Sequence, residues 1–227
     1  MRYPLGLAFI TMTLLMPLTI MADGSDGSNA ARESGTGENA SAMHPASAKP
    51  LTLADTALAD VREILSRENS CSKFYGGSSE IVAVLDGLAG RIQTKRLPDR
   101  FVGIRMSGGE TTFISQLTGY EYRLFKKVTI NTAGPFYSSG NAFFPMPRCG
   151  SFWPNTREAR VLMLLHELGH MVKGANGKWL LPDDGHSDQL SKSNTRVIES
   201  KCMAQIKALQ DGDRVARKSE DAAGDKR

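Results

Sequence analysis

Twelve consecutive residues, Val161 to Val172, read Val-Leu-Met-Leu-Leu-His-Glu-Leu-Gly-His-Met-Val. Apolar side chains cover most of a helical circumference here, so the segment predicts a helix buried at the centre of a domain. Inside it stand His166, Glu167 and His170, polar groups whose burial is costly unless each finds a partner. The chain must therefore fold around this helix and also supply what those three groups require.

The surrounding sequence suits an α+β domain spanning residues 51–210. Leu53, Ala57, Val61, Ile64 and Leu65 fall on one face of a predicted helix ending at Arg67. Ile81, Val82, Leu85, Leu88 and Ile92 mark a second helix from Ser79 to Gln93, separated from the first by Gly76-Gly77 and stopped by Leu97-Pro98. Short β-branched and aromatic runs follow at 101–106, 112–117, 120–125 and 128–131 and predict a small meandering sheet. Residues 132–154 carry repeated Gly and Pro and form an irregular connection. The central helix is expected to begin at Asn155, with Glu158 completing a capping box, and to end at Gly174. Beyond it, Lys178 to Leu181 and the turn Pro182-Asp183-Asp184-Gly185 lead to a last helix over 194–210, which turns Ile198, Cys202, Ile206 and Leu209 inward. Residues 211–227 read as a charged, flexible tail.

The N-terminus speaks to compartment. Arg2, an apolar run from Leu5 to Ile20 broken by Pro17, and Met21-Ala22 before a polar stretch have the layout of a secretory signal at residues 1–22. The run of about 16 residues is short of the ~20 needed to span a bilayer, so no stable membrane insertion is expected after cleavage. A secreted or periplasmic location follows. Residues 23–50 are too poor in apolar side chains to offset the entropy of ordering and read as a disordered linker. In an oxidising compartment the 3 cysteines, Cys71, Cys149 and Cys202, allow one disulfide and leave one thiol, and spacing does not say which pair forms. The 28 Lys plus Arg against 24 Asp plus Glu are scattered apart from a mild cluster at Arg91, Lys95, Arg96, Arg100 and Arg105. No aromatic residues interleave with the basic ones in the way that stacks bases, so no nucleic-acid partner is expected.

Chemistry concentrates in the central helix. Histidines at i and i+4 lie one above the other, so His166 and His170 can converge on one metal ion. Glu167, one step round, flanks that ion where it can accept a proton from water, which zinc acidifies to a pKa of about 7. At these residues the chain resembles the zincin metallopeptidases, whose signature is the HExxH helix. It also looks like short exported bacterial proteins with a HELGH helix and no assigned substrate. The zincin resemblance implies that His166 and His170 are zinc ligands and Glu167 the general base. It further implies that an edge strand before the helix aligns an extended peptide, and 128–131 is the expected edge.

The pattern departs from the zincin subclasses beyond the helix. Lys173 and Asn176 stand where the metzincin extension needs Gly and His, which removes that subclass. A gluzincin-like ligand would be Glu199, and an aspzincin-like one Asp183 or Asp184, with Asp184 placed ahead; the companion residues of both patterns are missing. His186 is a further option as third ligand. A peptidase also needs a donor for the developing oxyanion, for which His186, Arg196 and Tyr137 are the candidates. The expected activity is zinc-dependent hydrolysis of a peptide or protein substrate, cell-wall peptide included. The competing reading is a catalytically inactive zincin-like binding module with a structural or absent metal.

Overall fold

The computed structural model describes residues 52–185 and 187–224. The expected signal at 1–22, the linker at 23–50 and His186 lie outside the described residues. Among the described residues, five helices and a four-stranded mixed sheet form an α+β fold. No described helix is long and apolar enough to cross a membrane.

Helix α1 (Leu53–Ser66) opens with a capping box, in which Thr52 and Asp55 satisfy each other's backbone N–H groups. It turns Ala57, Val61, Ile64 and Leu65 into the core as expected from sequence, whereas Leu53, also placed on that face, is exposed at the first helical position. A five-residue helix α2 (Ser70–Phe74) follows. It was not foreseen, because about one and a half turns are too short for an apolar period; its nucleus is a second capping box made by Asn69 and Ser72. Helix α3 (Ser78–Ala89) ends at Gly90, short of the predicted Gln93. Ile92 leaves the helical stripe because Ile92–Lys95 becomes strand β1.

Four predicted strands merge into two. Strand β2 (Ile104–Ile114) and strand β3 (Glu121–Asn131) form one long hairpin. Gly108-Gly109 marks a register shift inside β2 rather than a turn, since a bulge absorbs residues without ending the pairing. Lys126-Lys127 lies within β3 with both side chains in water. The sheet is also not a simple meander: β1 runs parallel to β3, pairing Ile92 through Lys95 with Val128 through Asn131. Residues 128–131 are therefore interior, flanked by β1 and β2, and not the edge strand expected from sequence. On the same side of β3 as β1, the two-residue strand β4 (Val172–Lys173) pairs with Tyr122 and Glu121.

Helix α4 (Arg157–Gly169) is the central helix, with Leu162, Leu164, Leu165 and Leu168 at most 1% exposed. Its cap is Thr156, whose hydroxyl accepts from Ala159 N–H, and not Asn155 with Glu158. Asn155 instead takes a positive φ of 62° just outside the helix, a conformation Asn tolerates better than most residues. The helix also stops five residues before the predicted Gly174, because β3 captures Val172 and Lys173 in a strand pair. Helix α5 (Asp188–Gly224) begins six residues earlier than expected and continues through most of the predicted tail. Ile198, Cys202 and Ile206 are fully buried, as the helical period requires.

Two cross-links tie the helices to one another. Cys71 of α2 and Cys202 of α5 form a disulfide across 131 residues of sequence, leaving Cys149 as the free thiol. Burial pushes the Cys149 thiol up to a pKa of about 11, which makes it a poor nucleophile. Asp60 of α1, buried to 5% exposure, receives two hydrogen bonds from the Arg157 guanidinium, each 2.7 Å.

Candidate metal centre

The last turn of α4 carries His166, and His170 caps the helix directly after it. Both rings are buried, with centroids 4.9 Å apart. Their Nε2 atoms approach to 3.0 Å, and Asp184 Oδ2 lies 3.1 Å from His166 Nε2 and 3.6 Å from His170 Nε2. Among the described residues, His166, His170 and Asp184 form the group of donors able to hold a metal ion.

Asp184 reaches the histidines because the chain doubles back tightly after α4. Leu180 N–H donates to Val172 C=O and Leu181 N–H to Gly169 C=O, folding residues 178–181 onto the helix end. A Cβ at position 169 would meet Leu181 Cδ1 at 2.6 Å, so only glycine lets that buried leucine seat itself. The Asp183-Asp184-Gly185 turn then begins directly over the rings, with Asp183 Oδ1 accepting from Gly185 N–H. Asn194 of α5, itself buried, holds the turn from the other side by donating to Pro182 C=O at 2.9 Å. From β3, Arg123 Nε donates to His170 C=O at 2.7 Å while its guanidinium stacks 4.0 Å from the Trp179 ring.

Thr195 fixes which nitrogen of His166 faces the cluster. Its hydroxyl donates to Ser191 C=O at 2.9 Å, so the same oxygen accepts from His166 Nδ1–H at 3.0 Å. His166 Nε2 is then left with a lone pair directed toward His170 Nε2 and Asp184 Oδ2. A lone pair on His166 Nε2 beside the Asp184 carboxylate requires a cation between these atoms or a proton on His170 Nε2. Tetrahedral bonds of about 2.0–2.2 Å would separate ligand atoms by about 3.3–3.5 Å, close to the three observed separations. Two imidazoles and one carboxylate are, moreover, a donor set suited to a divalent transition ion, with one position left open.

With the rings protonated and no cation between them, the same contacts become hydrogen bonds and ion pairs. Burial alone would raise the Asp184 carboxyl, but hydrogen bonds from His166 and His170 and the charge of both rings hold it well below the usual carboxylate range. Burial works against the charged form of His170, yet Asp184, 3.6 Å away, and the nearby Glu167 charge leave its pKa raised. Glu167 is raised by burial and by the Asp184 charge, with both histidines opposing. Its carboxyl thus sits within electrostatic reach of all three donors without belonging to their set.

The other residues singled out from sequence lie apart. Glu199 is occupied at the next turn of α5, its Oε1 accepting from Ser151 N–H at 2.6 Å. Tyr137 sits among Phe136, Arg160 and Asp55 near the start of α4. Arg196 is exposed on α5, and His186 lies outside the described residues. Sequence reasoning missed Thr195 and Asn194, which stood only at the start of the expected last helix. Neither has a local signal; each acquires its role through a contact with a segment far away in the chain. No family model, no curated protein and no solved structure matches this chain.

Thr195 provides an early check on the centre. Thr195→Val keeps the shape but removes the oxygen that orients His166, and loss of such a partner costs about 10–100-fold in metal affinity. Competition against a zinc-chelating dye should show that weakening. Unchanged affinity would mean that the Thr195 contact does not orient the ring.

Proposed function

We propose that this protein is an exported zinc-dependent hydrolase, a metallopeptidase in which Glu167 is the general base. The observation that carries this reading is the convergence of His166 Nε2, His170 Nε2 and Asp184 Oδ2, separated by 3.0, 3.1 and 3.6 Å, with the Glu167 carboxyl within electrostatic reach of all three. When bound, zinc supplies Lewis acidity and water that ionises near neutral pH.

The chain's own residues do the rest. His166 and His170 donate through Nε2 and Asp184 through one carboxylate oxygen, while Thr195 keeps His166 in the tautomer that can donate. Glu167 accepts a proton from the attacking water and delivers it to the amine nitrogen as the amide C–N bond breaks. His186, two residues beyond Asp184, is the proposed donor to the developing oxyanion. The substrate strand is assigned to β2, which like β1 is an edge pairing only with β3 among the described strands, because β2 is the edge whose entry meets α4. Gly103, at the entry to β2, packs against Met163, one helical turn before Glu167. An extended peptide adding to that edge would thus run toward the general base.

Incubating the zinc-loaded chain with a mixed peptide library and with peptidoglycan fragments tests the proposal. Cleavage that stops on chelation is the expected result. A chain that holds zinc and cleaves nothing would instead favour a binding module with a structural metal.

A further inference from the structure

A second surface is formed by two loops that the proposed chemistry does not use. The first, residues 96–103, is organised by Asn131, which is fully buried. Its side-chain oxygen accepts from Leu97 N–H and Ala133 N–H, and its Nδ2 donates to Asp99 C=O and Val102 C=O, with all four bonds between 2.8 and 3.0 Å. This leaves Arg100 and Phe101 presented from a fixed backbone. The second loop is pinched by the Gly140–Pro145 bridge, with Gly140 at a φ of 78°. Asn141 Oδ1 accepts from both Phe143 N–H and Phe144 N–H, and Met146 anchors the loop in the interior. Phe143 is thereby held at a tip, 87% exposed, with Phe144 58% exposed beside it.

The Arg100 guanidinium joins the loops, lying 4.7 Å from the Phe101 ring centroid and 5.2 Å from that of Phe144. Arg96 and Arg100, with Thr132, Ser138 and Asn141, line a cleft next to Phe144. Asp99 is the acidic residue nearby in sequence, and its carboxylate accepts from Phe101 N–H. Three phenylalanines kept in water on pre-organised backbone are an apolar patch that folding alone does not require. Phe143 stands out at the loop tip, 87% exposed, and the border of the patch carries Arg96 and Arg100.

We propose that this surface docks the protein on an anionic lipid bilayer. Phe143 and Phe144 would enter the interface, Phe101 would lie at headgroup level, and the cleft between Arg96 and Arg100 would take a lipid phosphate. Aromatic side chains favour the interfacial region, and basic residues near an anionic surface add attraction that decays within a Debye length. The proposal does not depend on the metal centre and stands or falls separately from it.

The test uses the chain beginning at Asp23, which lacks the apolar run of the expected signal and so cannot bind lipid through it. Sedimentation with vesicles of phosphatidylcholine containing about 30 mol% phosphatidylglycerol should recover the protein, and pure phosphatidylcholine should not. Phe143→Ser/Phe144→Ser and Arg96→Ser/Arg100→Ser should each bind at least about tenfold more weakly, while Arg96→Lys/Arg100→Lys keeps most of the binding. A thermal midpoint matching the parent's verifies that each variant is folded. Tryptophan placed by Phe143→Trp should be quenched by brominated lipid beyond the parental background. Wild-type protein left in the supernatant, serine variants that bind as the parent does, or Phe143→Trp emission untouched by brominated lipid would overturn the proposal. Release by millimolar inorganic phosphate without any lipid quenching would also overturn it, marking the cleft as a site for a free anion.

Discussion

Glu167→Gln should lower kcat/KM for any cleaved peptide by about 10²–10⁴-fold while leaving the zinc content unchanged, the range expected for loss of a positioned general base. Glutamine keeps the size and hydrogen-bonding reach of the side chain but cannot accept a proton at the carboxylate. The donor set consists of His166, His170 and Asp184, so binding of the ion should survive. Steady-state kinetics beside elemental analysis separates the two effects. A variant that loses zinc as well as activity would make Glu167 part of the coordination. One that retains both would remove it from the chemistry and favour a binding module.

A large stability effect outside the centre is expected at the ion pair between α1 and α4. Asp60→Ala leaves Arg157, 31% exposed at its side chain, without the carboxylate that receives its Nε and Nη2 donors. Breaking a buried pair by removing one partner costs about 3–5 kcal/mol, and the partial exposure of Arg157 places this one near the lower figure. At about 2–4 °C per kcal/mol for a domain of this size, the midpoint should fall by roughly 6–12 °C. Asp60→Asn, which retains an acceptor for one N–H, should lose less. Calorimetry of both variants checks this, and a loss under about 1 kcal/mol for Asp60→Ala would show that the pair contributes little beyond its desolvation cost.

What the sequence made legible follows the range of each interaction. The buried α4 and the inward stripes of α1 and α5 were readable because a helical period is local, as were His166 and His170 at i and i+4. The limits of α4 and α3 were not, since Val172 and Ile92 leave their helices for partners on β3, Tyr122 and Val128, that are remote in sequence. The same cause hid the interior position of residues 128–131 and the pairing of Cys71 with Cys202. Asp184 could be shortlisted with Asp183, His186 and Glu199 but not singled out from them. Its approach depends on Leu181 closing over Gly169 and on Asn194 holding Pro182, contacts visible only once the chain is folded. Glu199 has the spacing of a ligand on a following helix, yet its carboxylate is spent on the backbone of residue 151.

Zinc per chain, measured by elemental analysis, tests the centre most directly when wild type is compared with His166→Ala, Asp184→Ala and Glu199→Ala. The expected result is one zinc in the wild type and in Glu199→Ala, none in His166→Ala, and little in Asp184→Ala. A zinc-free wild type, or zinc lost from Glu199→Ala but retained by Asp184→Ala, would contradict the account.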